Sequence, residues 1–138
     1  METPRSNPPP PSFVVFWIIW IAILNGLVMI QIFAAGGIPS GPDVGRIAIA
    51  FPLLAAGMVA VALGIRIWWI PRATTLAGKL QAMVFGLAVS EGIGIIGALV
   101  VNRELAQTRL ILFITSVACI ICFAPVYAKS PPDDGRFR

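Results

Sequence analysis

Histidine is absent from the sequence and charge is sparse: ten Lys and Arg stand against six Asp and Glu, together 12% of the chain. With no His and no cluster of acids, a His-based catalytic triad or a conventional metal site has no parts, and no cofactor is expected. The net charge of +4 does not read as nucleic-acid binding, because the basic residues sit at the ends of apolar runs and form no patch with interleaved aromatics. The two cysteines, Cys119 and Cys122, have C-x-x-C spacing. In a soluble βαβ setting that spacing suggests redox chemistry. Here both fall in an apolar run, a helical turn apart, and read as small packing residues. No polar stretch between apolar runs is long enough for a catalytic constellation, so the protein is not expected to be an enzyme.

What the sequence has in excess is apolar residues, 58% of 138, too many to hide in one small soluble core. They fall into four runs, at 13–35, 47–70, 80–101 and 110–128. This predicts an all-α integral membrane protein, an up-down bundle of four transmembrane helices. A helix over 13–35 rises about 34 Å, enough for a hydrocarbon core of roughly 30 Å. Residues 1–12, METPRSNPPPPS, form a Pro-rich tail with no order expected, and 129–138 form a polar tail. The first run is too long, and its leading segment too poor in basic residues, for a cleavable signal peptide.

Local signals set the expected boundaries. Ser12 can cap the first helix. Gly36-Gly37 and Pro39-Ser40-Gly41-Pro42 make a turn, with Asp43 a cap for the second helix. Pro52, inside the second run, predicts a bend, and Pro71 a stop. Arg66 should snorkel to the headgroups. Residues 72–79 read as a short basic loop with Thr74 or Thr75 as the next cap, and 102–109 as a polar connection.

Four spans put both termini on one side. That side holds Arg5, Arg66, Arg72, Lys79, Lys129, Arg136 and Arg138, against Arg46, Arg103 and Arg109 on the other. The positive-inside rule then places both tails in the cytoplasm of a multi-pass protein of the cell (plasma or inner) membrane. All four tryptophans and Tyr127 fall at the same face, as an aromatic belt would.

Orientation turns sequence position into depth. Glu91 lies about 16 Å and Asn25 about 18 Å inward from the starts of their runs by helical rise. Ser116 sits at a matching depth in the fourth run, with Thr115 beside it and Ser90 beside Glu91. These five residues form a candidate polar cluster around a lone mid-membrane acid, which is costly and asks for a reason. Gly86, Ser90, Gly94 and Ala98 share one face of the third helix, and Ala56, Ala60 and Gly64 one face of the second. Small-residue rows of this kind let a neighbouring helix approach closely. Two readings of Glu91 stand open: a site for a proton, a small cation or a cationic ligand, or a protonated acid that hydrogen-bonds Asn25 or Ser116 and fastens helices together.

The segment Ser90-Glu-Gly-Ile-Gly-Ile-Ile-Gly-Ala-Leu-Val-Val101 resembles the carboxylate helix of the rotary ATPase proteolipid, subunit c. The shared features are a mid-membrane Glu, a small residue after it, and an aliphatic run with Gly six residues on, here Gly97. The resemblance implies that Glu91 carries a translocated H+ or Na+. It covers about a dozen residues. Four-span members of that family place the carboxylate in spans two and four, whereas here it lies in span three. Small multidrug exporters are similar in outline, with an essential Glu in the first span, where this chain has Asn25. The leading expectation is a small non-enzymatic membrane protein that packs with itself or as an accessory subunit of a membrane complex. The alternative is proton- or cation-coupled transport using Glu91. The expected partners are the lipid bilayer and itself or another membrane protein, and no nucleic acid.

Overall fold

The computed structural model describes residues 12–46 and 49–126. Within them the chain is all-helical, with no strand: α1 Phe13–Ala34, α2 Ala50–Arg72, α3 Leu76–Val100 and α4 Ala106–Cys122. The first three are 22, 23 and 25 residues long and apolar enough to cross a membrane. The fourth, at 17 residues, is shorter. Expectations for the tail at 1–11, for the second run at 47–48, and for Tyr127 and the residues after it lie outside the described residues.

α3 is the centre of the fold. It packs against each of the other three helices, while α1 and α2 scarcely touch. Of its most apolar stretch 44% is buried, against 11% in α1 and in α2. Its small-residue row makes this possible, since Gly86, Ser90, Gly94 and Ala98 are all buried. The Phe123 ring lies directly over Gly86. At Gly94, Leu27 of α1 and Ser116 of α4 converge, and a Cβ there would come within 2.9 Å of the Ser116 Oγ. A Cβ on Gly97 would come within 2.8 Å of Leu112 Cβ. The row on α2 behaves differently. Ala56 and Ala60 are exposed, and a Cβ on Gly64 would meet nothing within 4 Å.

The surface around this centre is apolar. Val14, Ile18, Phe33, Leu53, Trp68, Phe85, Ile111 and Ile121 are all exposed. Exposed apolar area on this scale fits helices bathed in hydrocarbon, and the chain is a helical membrane protein by this measure.

The helix ends correct several expectations. α1 and α3 close on a widened, π-helical turn, in which Ala35 N–H bonds the Ile30 carbonyl at 3.0 Å and Val101 N–H bonds the Ile96 carbonyl at 3.0 Å, and α2 has one just before its end, where Ile70 N–H bonds the Ile65 carbonyl. In α2 the wide turn makes room for the Pro71 ring, so Pro71 does not stop the helix, which runs on to Arg72. Pro52 is the third residue of α2. In a first turn the missing N–H costs no hydrogen bond, so it marks a helix start instead of an internal bend. The Ser12 side chain makes no capping bond. Thr75 does cap, accepting from Gly78 N–H at 3.0 Å. α3 therefore begins at Leu76, four residues before the expected 80, and takes Lys79 into its first turn.

Candidate functional site

Two polar constellations lie in the bundle: one at the level of Glu91, the other where the α1–α2 and α3–α4 connections meet.

At the first level, Glu91 lies on the seam between α3 and α1. Its Oε1 is 3.7 Å from where a Cβ on Gly26 would stand, so the glycine leaves the space that the carboxyl uses. The neighbouring hydroxyls meet where α3 packs on α4. Ser116 Oγ donates to the Ser90 carbonyl at 2.6 Å, and Ser90 Oγ donates to the Gly86 carbonyl at 2.8 Å. Ser90 and Ser116 are fully buried, so both bonds form in a dry interior, where an unmet hydroxyl is costly. Asn25 is exposed and returns its Nδ2 hydrogen to Ile21 of its own helix at 3.0 Å. Thr115 faces a groove between α2 and α4. Asn25, Glu91 and Ser116 thus share a level but not a network. Among the described residues no hydrogen-bond donor reaches Glu91. The bonds to Asn25 and Ser116 that would fasten helices through this acid are spent on backbone carbonyls. Glu91 remains half-buried, a carboxyl with no hydrogen-bond partner among the described residues.

The second constellation has no local signature in the sequence. Asp43 does not cap α2. Its Oδ1 accepts from Gln107 N–H at 2.6 Å, and its Oδ2 accepts from the Thr108 hydroxyl at 2.7 Å. Both of its oxygens also receive Thr108 N–H at 3.3 Å. Asp43 therefore caps the N-terminus of α4 across 64 residues of sequence, where a carboxylate also complements the helix dipole. Partial burial raises the carboxyl pKa, but the Thr108 and Gln107 hydrogen bonds outweigh it and hold Asp43 below the usual aspartate value. One residue on, Val44 N–H bonds the Glu104 carbonyl at 2.9 Å, tying the two connections together.

Arg109 completes the clasp. The sequence predicts a connection over 102–109, but Arg109 lies in the first turn of α4 and is only 5% exposed. Its Nε donates to the Gly97 carbonyl at 3.0 Å. One Nη donates to the Ala98 carbonyl at 3.0 Å and to the Ala35 carbonyl at 3.2 Å. Those carbonyls close α1 and α3, where helix ends lack intrahelical donors and carry partial negative charge. A single guanidinium thereby joins three helix ends. Gln31, also buried, donates to the Gly37 carbonyl at 2.7 Å and steadies the α1 turn, in which Gly36 takes a positive φ of 85°. The signal for the clasp was a carboxylate and an arginine flanking polar connections. Nothing in local spacing says which helix each would serve.

At the opposite end, Trp20 Nε1 donates to the Ile120 carbonyl at 2.7 Å, fastening α1 to the last turn of α4.

The chain matches no family model, no curated protein and no solved structure.

Proposed function

We propose that this is a four-span, non-enzymatic protein of the cell membrane, with both termini in the cytoplasm, that acts by packing against itself or as a small subunit of a membrane complex. The length and apolarity of α1, α2 and α3 and the bias of basic residues toward the α2–α3 connection support the topology. α4 rises about 26 Å as a helix, and Phe123 to Val126 extend its apolar run. The observation that carries the reading is the α2 face. Ala56 and Ala60 lie open beside an apolar groove of about 570 Å³ between α2 and α4, lined also by Val59, Leu63, Ile111 and Thr115. Small residues of this kind permit close helix approach, and among the described residues no helix covers them. Energy transfer between labelled copies in vesicles tests the reading. It expects transfer above that of random mixing, or co-migration with one membrane protein at fixed ratio. It expects either to be lost when Ala56→Leu and Ala60→Leu block the face. A chain that stays monomeric, co-migrates with nothing and is indifferent to both substitutions contradicts it.

A second reading rests on Glu91 having no hydrogen-bond donor among the described residues. We infer that its carboxyl is free to take up a proton or a small cation at the α1–α3 seam, the role that the resemblance to the proteolipid helix implies. Glu91→Gln and Glu91→Ala separate the readings. A carrier loses transport in both variants while staying folded. A fastening acid tolerates Gln and loses about 1–2 kcal/mol of stability with Ala.

A further inference from the structure

The end of α2 next to the α2–α3 connection carries a surface notch of about 540 Å³, lined by Val61, Gly64, Ile65, Trp68, Trp69 and Arg72. Gly64 opens its floor, since a methyl group there would meet nothing within 4 Å. Its walls are aromatic and outward-facing, with Trp68 68% and Trp69 44% exposed. The Trp69 ring is braced against Phe85 at a centroid distance of 5.9 Å. At the rim, Arg72 donates one Nη1 hydrogen to the Trp68 carbonyl at 3.0 Å, which fixes the guanidinium beside the notch. Its other N–H groups have no acceptor among the described residues. No Asp or Glu occurs anywhere between residues 44 and 90, so nothing in this stretch of chain neutralises the rim.

An apolar slot with indole walls, and at its mouth a pinned cation that no acid among the described residues neutralises, is complementary to an amphiphile with a negative head. We propose that the notch binds one anionic phospholipid, its phosphate on Arg72 and an acyl chain along Gly64 between Val61 and Trp68. The proposal rests on the four-span reading, which sets this end at the cytoplasmic headgroups, where anionic lipids gather and tryptophans prefer to lie. A zwitterionic lipid brings its own ammonium to the phosphate and gains less from Arg72.

Tryptophan fluorescence in vesicles tests this, with a small and equal fraction of either brominated phosphatidylglycerol or brominated phosphatidylcholine as quencher. The site predicts several-fold stronger quenching by the anionic lipid. Arg72→Gln, at an exposed position, should lower that excess about five-fold, the effect of one basic residue near an anionic surface. Gly64→Leu, which fills the notch, should abolish the excess while circular dichroism shows the helices intact. Arg103→Gln, exposed in the α3–α4 connection, should leave the excess unchanged. Equal quenching by the two lipids, or an excess that survives Arg72→Gln and Gly64→Leu, overturns the site. Quenching by neither lipid overturns the membrane topology itself, a separate result.

Discussion

Arg109→Met removes the clasp while keeping most of the side chain's length and volume. Three charge-assisted hydrogen bonds disappear, to Gly97, Ala98 and Ala35. Bonds from a charged donor contribute about 1.5–3 kcal/mol each. Against that stands the cost of holding a guanidinium 5% exposed, which is several kcal/mol for a buried ion and is recovered in the variant. Three helix-end carbonyls are then left without donors, at about 1–3 kcal/mol each where water cannot reach. The unmet carbonyls and the lost bonds are one loss counted from either side, and removing one partner of a buried charged contact costs about 3–5 kcal/mol, which is the destabilisation expected. Arg109→Lys keeps the charge but gathers its donors on one atom, which cannot span α1 and both α3 carbonyls, and should fall between the two. The assay is denaturant unfolding in mixed micelles, followed by circular dichroism and tryptophan fluorescence. If Arg109→Met unfolds within about 0.5 kcal/mol of the parent, the spread of an ordinary surface change, the clasp does not hold the helix ends as argued.

Two further outcomes follow from the packing and from the cap. Gly94→Ala places a methyl group against Leu27 and the Ser116 hydroxyl at once and should destabilise by about 1–3 kcal/mol through overpacking. Gly57→Ala, on a part of α2 where an added Cβ meets nothing within 4 Å, should be neutral or stabilise by up to about 1 kcal/mol through helix propensity. Thermal melts of the pair in one detergent check both. Asp43 has its pKa lowered in the folded chain, so its contribution is present above the unfolded aspartate value and is lost as pH falls through the lower, folded one. Hydrogen exchange at the Gln107 and Thr108 amides should therefore gain protection loss on acidification below about pH 4, an effect that Asp43→Asn removes.

The helices were legible because the signal for them is strong. Long apolar runs separated by Gly, Pro and charge name themselves, and the Thr75 cap was readable from its place before an apolar run. So was the small-residue row at Gly86, Ser90, Gly94 and Ala98, since four-residue spacing puts such residues on one face. What the row could not say is that α3 would be central to all three neighbours while the similar row on α2 stayed uncovered. The errors cluster at the ends. Asp43 reads as a cap for the nearest helix downstream, because capping rules are local and its true partner lies 64 residues away. α4 begins before the apolar run does, because the distant cap and the Arg109 clasp draw Gln107, Thr108 and Arg109 into its first turn. Arg109 itself reads as a loop charge in the sequence, because helix-end carbonyls are acceptors that composition never displays. The place of Glu91 in the third apolar run is legible in the sequence; that no described residue donates to it is not, because the Ser90 and Ser116 hydroxyls turn to backbone carbonyls instead.

The topology is tested most directly by labelling single cysteines in intact cells with a membrane-impermeant maleimide, on a background with Cys119→Ala and Cys122→Ala. Positions Ser40 and Arg103 flank the clasp, and Thr74 lies in the short α2–α3 connection; all three are exposed. The account predicts that Ser40→Cys and Arg103→Cys label from outside, and that Thr74→Cys labels only after permeabilisation. Labelling of Thr74→Cys from the same side as Ser40→Cys would contradict it.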